Sequence, residues 1–344
     1  MPVSVIVGGQ FGSEGKGKVS AHVSNEMSAD AIIRVGGPNS GHTSVDNHGQ
    51  SWTFRQLPAG LAGRRAIAVL PAGSLIDVEL LLSEVQRFGL PYDCLWIDPK
   101  ASIVTDAHKR AEQDLIKSIG STASGTGASL LERIGRNATH VRAASVPELR
   151  DFIQEDLSSR LRSMLRAGDR IVAEGTQGFG LSVWHSDHFP FATSRDTSAA
   201  TFVAEAGLAP HDVDDTVMVL RSFPIRVGGN SGPLPYEIDW PTLANEAQLP
   251  PDYRELTSAT GRVRRVARFD PGLVRHALEV NAPHRVVLNH MDYVDPEWGA
   301  DGPTAKSRAF LADVERSIGR YVDLIGYGPA TLLTRCEALA ARVA

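Results

Sequence analysis

Short runs of apolar, often β-branched residues recur along the chain and predict a sheet of buried strands. Most of these runs do not alternate between apolar and polar positions, which is typical of strands covered on both faces of a parallel sheet. The predicted strands are Val3–Val7, Ala31–Val35, Ala66–Leu70, Cys94–Ile97, Arg170–Ala173, Val217–Leu220, Arg285–Leu288 and Val322–Ile325.

Stretches with helical periodicity lie between these runs. The predicted helices are Lys16–Met27, Val78–Phe88, Asp106–Ile119, Val146–Leu165 and Ala305–Tyr321. Alternating strands and helices indicate an α/β fold with a mainly parallel β-sheet. No internal repeat, low-complexity tract or Pro/Ser-rich linker divides the chain, so we expect residues 1–344 to form a single large domain.

Composition narrows the function classes. The 344 residues have a net charge of −5 with both signs mixed along the chain, which argues against a nucleic-acid binder. The two cysteines, Cys94 and Cys336, form no disulfide or metal motif and are expected to be reduced thiols. No apolar run reaches the ~18 residues of a membrane helix, and no signal peptide is recognisable. We therefore expect a cytoplasmic protein (host cytoplasm if viral) without a membrane partner.

The first predicted strand runs into a glycine- and lysine-rich turn, Gly-Gly-Gln-Phe-Gly-Ser-Glu-Gly-Lys-Gly-Lys over residues 8–18, followed by a helix. Glycines let backbone N–H groups approach an anion, while the helix N-terminus and the lysines add positive charge. Gln10 and Gly17 depart from the Walker A pattern, which has Gly and Ser/Thr there. We expect a P-loop-like phosphate-binding turn in which magnesium is held differently. A glycine turn that only needs positive φ is the structural alternative.

A second polar turn follows the second predicted strand and reads Gly-Gly-Pro-Asn-Ser-Gly-His-Thr over residues 36–43. Similar turns follow other strands at 174–180 and 289–292. Ligands bind at the carboxyl ends of the strands in an open parallel sheet, so these turns are expected to meet. A lone histidine after a glycine turn is usually structural, but next to a phosphate loop His42 becomes a candidate general acid or phosphate ligand.

Together these motifs resemble those of the adenylosuccinate synthetase family. The two turns supply Gly-Gln-Phe-Gly-Ser-Glu-Gly-Lys-Gly-Lys at 9–18 and Gly-Pro-Asn-Ser-Gly-His-Thr at 37–43. Further matches follow in order at 119–122, 174–178, 189–194, 226–229, 260–265, 289–292 and 326–329. The resemblance therefore covers nearly the whole chain.

The resemblance implies a two-step carbon–nitrogen ligase reaction. A nucleoside triphosphate phosphorylates the purine 6-oxygen, and the amine of L-aspartate then displaces phosphate from C6. Phosphoryl transfer requires positioning, a magnesium ion and positive charge around the moving group. By the resemblance, His42 is the acid that stabilises charge on the 6-oxygen and Lys16 holds the transferring phosphate. The Gly41 carbonyl and Ser13 are the candidate Mg²⁺ ligands.

The resemblance also implies which residues contact the reactants. Those expected to contact the phosphate donor are Gly12, Glu14, Gly15, Gly17, Lys18, Gly41, Thr43, Arg264, His290, Asp292 and Gly328. Those expected to contact the substrate nucleotide or aspartate are Ser13, Asn39, Ser121, Thr122, Arg136, Gln177, Thr193, Thr260 and Arg262. Thr260 and Arg262 match a loop that binds the aspartate carboxylates. Arg136 matches an arginine supplied by a neighbouring subunit, which implies a homodimer.

Ser13 is the main departure from the family pattern. The family has an aspartate there, which removes the N1 proton of hypoxanthine and ligates magnesium. A serine hydroxyl is too weak a base for that step, but it is smaller and can accept a hydrogen bond from an exocyclic amine. The exchange favours guanine, whose 2-amino group is next to N1. The chain thus resembles the bacteriophage synthases of the family, which convert dGMP to N6-succino-2-amino-2′-deoxyadenylate for 2-aminoadenine DNA.

The residues expected around the donor base depart as well. Asp292 matches an aspartate that accepts protons from the guanine of GTP, which favours GTP. His290, however, stands where the family has a lysine, and Gly326-Tyr327 replaces a Ser-Thr pair. The phage relatives use ATP or dATP. The resemblance therefore implies ATP or dATP as donor together with Mg²⁺, with GTP as the alternative.

Two other functions stay open on the sequence. One is an ordinary adenylosuccinate synthetase that uses IMP and GTP, and the other is a catalytically inactive nucleotide-binding scaffold. Retention of His42, Thr260, Arg262 and Arg264 argues against the scaffold, because binding alone does not require them. The two histidines of segment 185–188 are interpreted as loop residues rather than zinc ligands, since no third ligand is close in sequence.

Overall fold

The computed structural model describes residues 3–257, 261–298 and 302–340, and over these residues its main feature is a nine-stranded sheet. In chain order the strands are β1 (Val3–Gly8), β2 (Ala31–Arg34), β3 (His42–Val45), β4 (Ser51–Phe54), β5 (Ile67–Leu70), β6 (Leu75–Ile76), β7 (Leu95–Ile97), β8 (Ser102–Ile103), β9 (Ile171–Glu174), β10 (Val213–Arg221), β11 (Ile225–Arg226), β12 (Glu237–Ile238), β13 (Arg265–Ala267), β14 (Arg285–Asn289), β15 (Leu324–Tyr327) and β16 (Thr331–Thr334).

The α-helices fill the intervals between the strands. They are α1 (Lys16–Glu26), α2 (Val78–Phe88), α3 (Asp106–Ala111), α4 (Leu115–Ile119), α5 (Thr126–Ile134), α6 (Leu157–Ala167), α7 (Ala199–Glu205), α8 (Trp240–Glu246), α9 (Pro271–Asn281), α10 (Ala305–Ile318) and α11 (Arg335–Leu339). In the described ranges, none of the helices has the length and apolar character needed to cross a lipid bilayer.

The large sheet has the order β16-β15-β14-β10-β1-β9-β2-β5-β7. Among its described residues, neighbouring strands are parallel except for β15 and β16, which pair antiparallel. Every strand predicted from an apolar run is present in this sheet. The predicted α/β fold class with a mainly parallel sheet is therefore confirmed.

The core lies on both faces of this sheet. Along β1, the side chains of Val5 and Val7 pack into one buried cluster, and Ile6 packs into the other. Successive strand residues point to opposite faces, so a central strand needs apolar residues at every position. Each such side chain contributes about 1.5–3 kcal/mol when fully buried. This two-sided burial is the reason why the non-alternating runs were a dependable signal.

Tertiary contacts interrupt two of the predicted helices. The predicted helix Asp106–Ile119 is divided into α3 and α4, because Glu112 directs its carboxylate to the start of α5, where it accepts hydrogen bonds from the backbone N–H groups of Gly125, Gly127 and Ala128. The predicted helix Val146–Leu165 begins instead as a 3₁₀ segment, Pro147–Phe152, and continues as α6. Between them Ile153 pairs with Ile97, at the end of β7, which diverts the chain.

Candidate active site

The polar turns after the central strands converge on one edge of the large sheet, because the carboxyl ends of parallel strands point the same way. Two adjoining cavities open there, and the larger has a volume of about 360 Å³. The smaller is lined by, among others, Gly12, Ser13, Asn39, Gly41, His42, Thr122, Gln177 and Arg264. The larger shares Asn39, Thr122 and Gln177 and adds Ser121 and Thr193. Candidate residues from separate turns thus surround one continuous space.

The glycine-rich turn between β1 and α1 is organised around the buried carboxylate of Glu14. This carboxylate accepts hydrogen bonds from the backbone N–H groups of Gln10 at 3.2 Å and Gly12 at 2.7 Å. It also forms an ion pair with Lys16, whose Nζ is 2.6 Å from Oε2. An ammonium group has three N–H donors, so Lys16 retains donors for a phosphate after this pairing. The donor-binding roles of Glu14 and Lys16 stay predictions.

Gly17 allows α1 to pack closely on β3. A Cβ atom at this position would collide with the backbone carbonyl of Thr43. A Ser or Thr, as in the Walker A pattern, therefore has no room unless α1 and β3 move apart. Gly15 precedes it with a φ of 89°, in the left-handed region that favours glycine, and α1 begins directly afterwards. Sterics thus account for the departure from the Walker A pattern noted in the sequence.

His42 is the first residue of β3 and is held by two buried charged side chains. Its Nδ1 lies 2.6 Å from Oε1 of Glu174, and NH1 of Arg34 donates to the same oxygen at 2.6 Å. Burial opposes ionisation of Glu174, but the hydrogen bond from His42 and the charge of Arg34 hold its pKa at about 2. The carboxylate is therefore an acceptor, so Nδ1 carries the donated proton. Nε2 lies 3.4 Å from Oγ of Ser40, which lines the smaller cavity.

The protonation state of His42 follows from the same surroundings. Burial, and next the charge of Arg34, lower the pKa of His42 from 6.5 to about 4. In the protein without ligand the imidazole is therefore neutral near pH 7. A phosphate dianion in the adjoining cavity would favour the protonated form and raise this pKa. We therefore expect His42 to become an effective acid only when the site holds its anionic reactants.

The buried imidazole should make the protein sensitive to acid. Between pH 6.5 and pH 4 the unfolded chain binds a proton at His42 that the folded chain does not bind, so stability falls as pH falls. A His42→Asn variant keeps an N–H donor but has no titrating group. We expect the free energy of unfolding of the wild type, measured by urea denaturation, to fall relative to that of the variant over this range. Parallel curves would contradict this account.

The residues expected around the donor base meet beyond the end of β14. Nζ of Lys18 donates to the backbone carbonyl of Gly328 at 3.2 Å, and Oδ1 of Asp292 accepts from the N–H of Gly328 at 3.0 Å. Burial lowers the pKa of Lys18 to about 8, although Asp292 acts in the opposite direction. Burial also lowers the pKa of His290 well below its ordinary value, so this imidazole is neutral.

The segment expected to bind aspartate folds back on itself. The backbone N–H of Thr257 donates to the carbonyl of Arg262 at 2.9 Å, and Nε of Arg264 donates to the carbonyl of Leu256 at 3.0 Å. Arg264 lines the smaller cavity, next to Ser13 and His42. Thr260, the other residue predicted to bind aspartate, lies outside the described residues.

Comparison with known proteins identifies the family. The family model for adenylosuccinate synthetase matches residues 5–154 and 142–297. The chain is 35% identical over 337 residues to the adenylosuccinate synthetase of Methanocaldococcus jannaschii, covering 95% of this chain and 94% of that protein. It is 35% identical over 340 residues to that of Archaeoglobus fulgidus, with 96% of each covered. The chain belongs to the adenylosuccinate synthetase family. It is accordingly a carbon–nitrogen ligase that uses aspartate and a nucleoside triphosphate.

Solved structures of family members match the fold over nearly its full length. The succinoaminodeoxyadenylate synthetase (PurZ) of cyanophage S-2L, bound to dGMP and to dATP as an energy donor, superposes with a TM-score of 0.82. It is 27% identical and covers 97% of this chain and 95% of that chain. The adenylosuccinate synthetase of Plasmodium falciparum gives a TM-score of 0.84 at 20% identity, covering 97% and 100%. The latter likeness supports the fold alone.

The family's magnesium ion was assigned to Ser13 and Gly41, and the donor atoms here are compatible with it. Both residues line the smaller cavity, where they offer a hydroxyl and a carbonyl oxygen. Mg²⁺ takes oxygen ligands and often keeps several waters beside substrate phosphates. In the described part of the chain no cluster of three His, Cys, Asp or Glu side chains could hold a metal. A magnesium ion here would therefore depend mainly on phosphate oxygens, and it would neutralise their charge during transfer.

Arg136 lies apart from both cavities. It follows α5, is exposed and has a φ of 54°. The same helix carries Leu131 and Ile134, whose side chains are 72% and 67% exposed. Large apolar side chains exposed next to each other are typical of an interaction surface. Arg136 lines neither cavity of its own chain and so does not join the other candidate residues there.

Several charged or polar residues at the site had no role assigned from the sequence. Arg34 and Glu174 orient His42, and a signal was available, because each ends an otherwise apolar strand. Arg226 lines both cavities, stacks over Phe11 at 4.6 Å and donates hydrogen bonds to the backbone carbonyls of Pro233 and Phe191, each at 2.8 Å. Asn289 donates from Nδ2 to the carbonyl of residue 14 at 2.8 Å, which joins the donor side to the phosphate loop.

Proposed function

We propose that this ligase joins L-aspartate to C6 of dGMP and forms N6-succino-2-amino-2′-deoxyadenylate, a precursor of 2-aminoadenine in DNA. The observation that carries the proposal is Ser13. Its side chain is exposed at the smaller cavity, which it lines together with His42 and Gln177. Among the described residues that line this cavity there is no Asp or Glu. The cavity thus offers no carboxylate that would crowd a purine 2-amino group next to N1, which is why we favour guanine over hypoxanthine.

The electrostatics of the cavity agree with an anionic nucleotide. Arg226 and Arg264 both line the smaller cavity, and none of its described lining residues is a carboxylate, whereas Glu112 lines the larger cavity. A cleft lined by one sign of charge concentrates ligands of the opposite sign. Asn39 and Thr122 in this cavity, and Thr193 in the adjoining larger one, add the amide and hydroxyl donors that we assign to the 5′-phosphate. Gln177 is assigned to the base.

The proposed reaction uses these groups in two steps. The γ-phosphoryl group moves to the purine 6-oxygen while the N1 proton of guanine passes to water in the open cavity. The Lys16 ammonium and the amides of the phosphate loop are assigned to stabilise the charge of the moving group. His42 hydrogen-bonds or protonates the 6-oxygen from Nε2, since Nδ1 is engaged by Glu174. The aspartate amine then attacks C6 and expels phosphate. Arg262 and the residue Thr260 are assigned to the aspartate carboxylates.

The proposed donor is ATP or dATP. Oδ1 of Asp292 accepts a hydrogen bond from the Gly328 N–H, and the carboxylate retains acceptor positions for a base. The adenine amino group can donate to it, and so can the two donors of guanine, so Asp292 alone does not select the donor. The PurZ neighbour was solved with dATP, which supports the proposed donor. GTP stays the alternative donor.

A substrate panel tests the purine assignment. Purified protein is incubated with L-aspartate, ATP and magnesium and either dGMP, GMP, dIMP or IMP, and the succinylated product is detected by mass spectrometry. We expect turnover with dGMP well above that with IMP. The second candidate is an ordinary IMP-using enzyme, favoured by the 35% identity to archaeal adenylosuccinate synthetases. Turnover of IMP without dGMP would establish that candidate instead.

An inactive scaffold would bind nucleotides without aspartate-dependent phosphate release. The buried arrangement of Arg34, His42 and Glu174 argues against it. Burying three charged or titratable groups is costly and is of no use for binding alone. Phosphate release that depends on aspartate would exclude the scaffold.

The proposed assembly is a homodimer in which Arg136 completes the partner's site. The exposed Leu131 and Ile134 beside it supply apolar surface for such an interface. We expect Arg136→Ala and His42→Asn to be inactive alone but to regain about one quarter of wild-type activity when mixed in equal amounts. About half of the dimers are then mixed, and one of the two sites in each mixed dimer is intact. Activity is assayed after mixing and brief exposure to mild denaturant. A mixture as inactive as its components would contradict a shared site.

A further inference from the structure

Arg221, at the end of β10, is fully buried and firmly placed. The side-chain amide of Gln10 pairs with its backbone: Oε1 accepts from the Arg221 N–H at 2.9 Å, and Nε2 donates to its carbonyl at 3.1 Å. This pairing also explains a glutamine at a position where the Walker A pattern has glycine. The backbone of Arg221 is therefore fixed at the end of β10, which limits the positions that its buried guanidinium can reach.

The guanidinium of Arg221 joins two separate parts of the active site. NH1 donates to the backbone carbonyl of Ser13 at 3.0 Å, and NH2 donates to Oε1 of Glu255 at 2.6 Å. Ser13 has a φ of 56°, a left-handed conformation that is unfavourable for residues with a side chain. The bond from Arg221 therefore helps to hold the residue that we assign to the purine.

Glu255 is fixed from a second direction. The hydroxyl of Tyr293 donates to Oε1 of Glu255 at 2.7 Å and lies 2.6 Å from the hydroxyl of Tyr253. Burial opposes ionisation, but the charge of and hydrogen bond from Arg221 hold the pKa of Glu255 far below its usual range. The pair with Arg221 is thus a charged one at every working pH.

The described residues of the segment expected to bind aspartate, 256–257 and 261–264, are connected to Glu255 by backbone hydrogen bonds. The carbonyl of Glu255 accepts from the N–H of Arg264 at 2.9 Å, and Leu256 pairs antiparallel with Val263. The carbonyl of Arg262 is bonded in turn by residue 257. A shift of Glu255 would therefore be transmitted to Arg262 and Arg264.

From these contacts we infer that Arg221 and Glu255 are positioning residues, which set the arginines of the aspartate segment at a fixed distance from Ser13. Neither side chain is among those that line the two cavities, so both act through other residues. The inference rests on the proposed assignment of Arg262 to the aspartate carboxylates and of Arg264 to the phosphate donor. The aspartate amine and the purine C6 would be held by different loops of the protein. Reaction rates depend steeply on how well two such reacting atoms are aligned.

The test is a Glu255→Gln variant, which keeps the shape but removes the charge of the pair. We expect KM for aspartate to rise about ten-fold or more while KM for the purine nucleotide changes by less than about three-fold. The matched control is Glu237→Gln, because Glu237 forms a similar two-bond pair with Arg265 and, among the described residues, neither Ser13 nor Glu255 is one of its hydrogen-bond partners. The control should change neither constant.

A milder variant covers the case in which Glu255→Gln does not fold. Tyr293→Phe removes one hydrogen bond to Glu255 without changing charge, and it should raise KM for aspartate a few-fold in the same selective way. Equal changes in both KM values, or no change in a folded variant, would overturn the inference. All variants are assayed with whichever purine the wild type converts. If the dGMP assignment fails, the wild type converts a different purine nucleotide. If the positioning role fails, the KM for aspartate does not rise selectively in the variants.

Discussion

Replacing His42 by asparagine is expected to lower kcat by about 10²–10⁴-fold, the usual contribution of a positioned general acid. Asparagine retains an N–H donor for Glu174, so the buried ion network stays satisfied and the fold is preserved. It has no group equivalent to Nε2, which in the wild type faces the cavity side near Ser40. The measurement is steady-state kinetics with saturating nucleotide and aspartate, together with nucleotide affinity by calorimetry.

The control for this variant is His140→Asn. His140 is also bonded through Nδ1 to a carboxylate, that of Glu132 at 3.3 Å, but it lies outside the two cavities. We expect kcat of the control to stay near the wild-type value. If His42→Asn retained most of its activity, or lost nucleotide affinity and kcat in parallel, His42 would be a structural residue.

Replacing Ser13 by aspartate is expected to change the purine preference. The longer, charged side chain would crowd a 2-amino group and offer a base for the N1 proton of hypoxanthine. We expect the ratio of kcat/KM for dGMP to that for IMP to fall by about ten- to a hundred-fold, the scale at which one pocket side chain discriminates. Kinetics with both nucleotides, at the same aspartate and ATP concentrations, give this ratio.

A Ser13→Ala variant separates space from hydrogen bonding. It keeps the room for an amine but removes the acceptor, so it should still prefer dGMP over IMP while KM for dGMP rises. An unchanged ratio in Ser13→Asp would remove the explanation of this position, whatever the alanine variant does. A dGMP preference lost equally in both variants would assign the discrimination to the hydroxyl alone.

The large sheet was predictable because its strands are buried on both faces. Runs such as Val3–Val7 have no polar alternation, and only a covered parallel strand requires that pattern. The short pairs β3–β4 and β6–β8 were not predicted, since their residues are mixed and their pairing depends on contacts distant in sequence. The break between α3 and α4 was missed for the same reason: the local periodicity is helical, and a single carboxylate from Glu112 alters the path.

The sequence predicted which loops form the candidate site, but it did not predict the side-chain hydrogen bonds and ion pairs within the site. The motifs at 9–18 and 37–43 follow strands whose carboxyl ends lie at one edge of the sheet, so Ser13 and His42 were expected near one another. They do line one cavity, although β9 separates β1 from β2. The sequence did not reveal that the carboxylate of Glu14 accepts a hydrogen bond from a backbone N–H group of the loop and forms an ion pair with Lys16. It also did not reveal that Glu174 fixes the imidazole. Such pairings depend on side-chain directions, which motif spacing does not encode.

The contact between Gly17 and the backbone of Thr43 limits how this loop could evolve. A magnesium-binding hydroxyl cannot be acquired here by one substitution, since any side chain would force the first helix away from the neighbouring hairpin. A cation at this site would therefore need ligands other than a side chain at position 17, such as Ser13, the Gly41 carbonyl and the phosphates of a bound nucleotide.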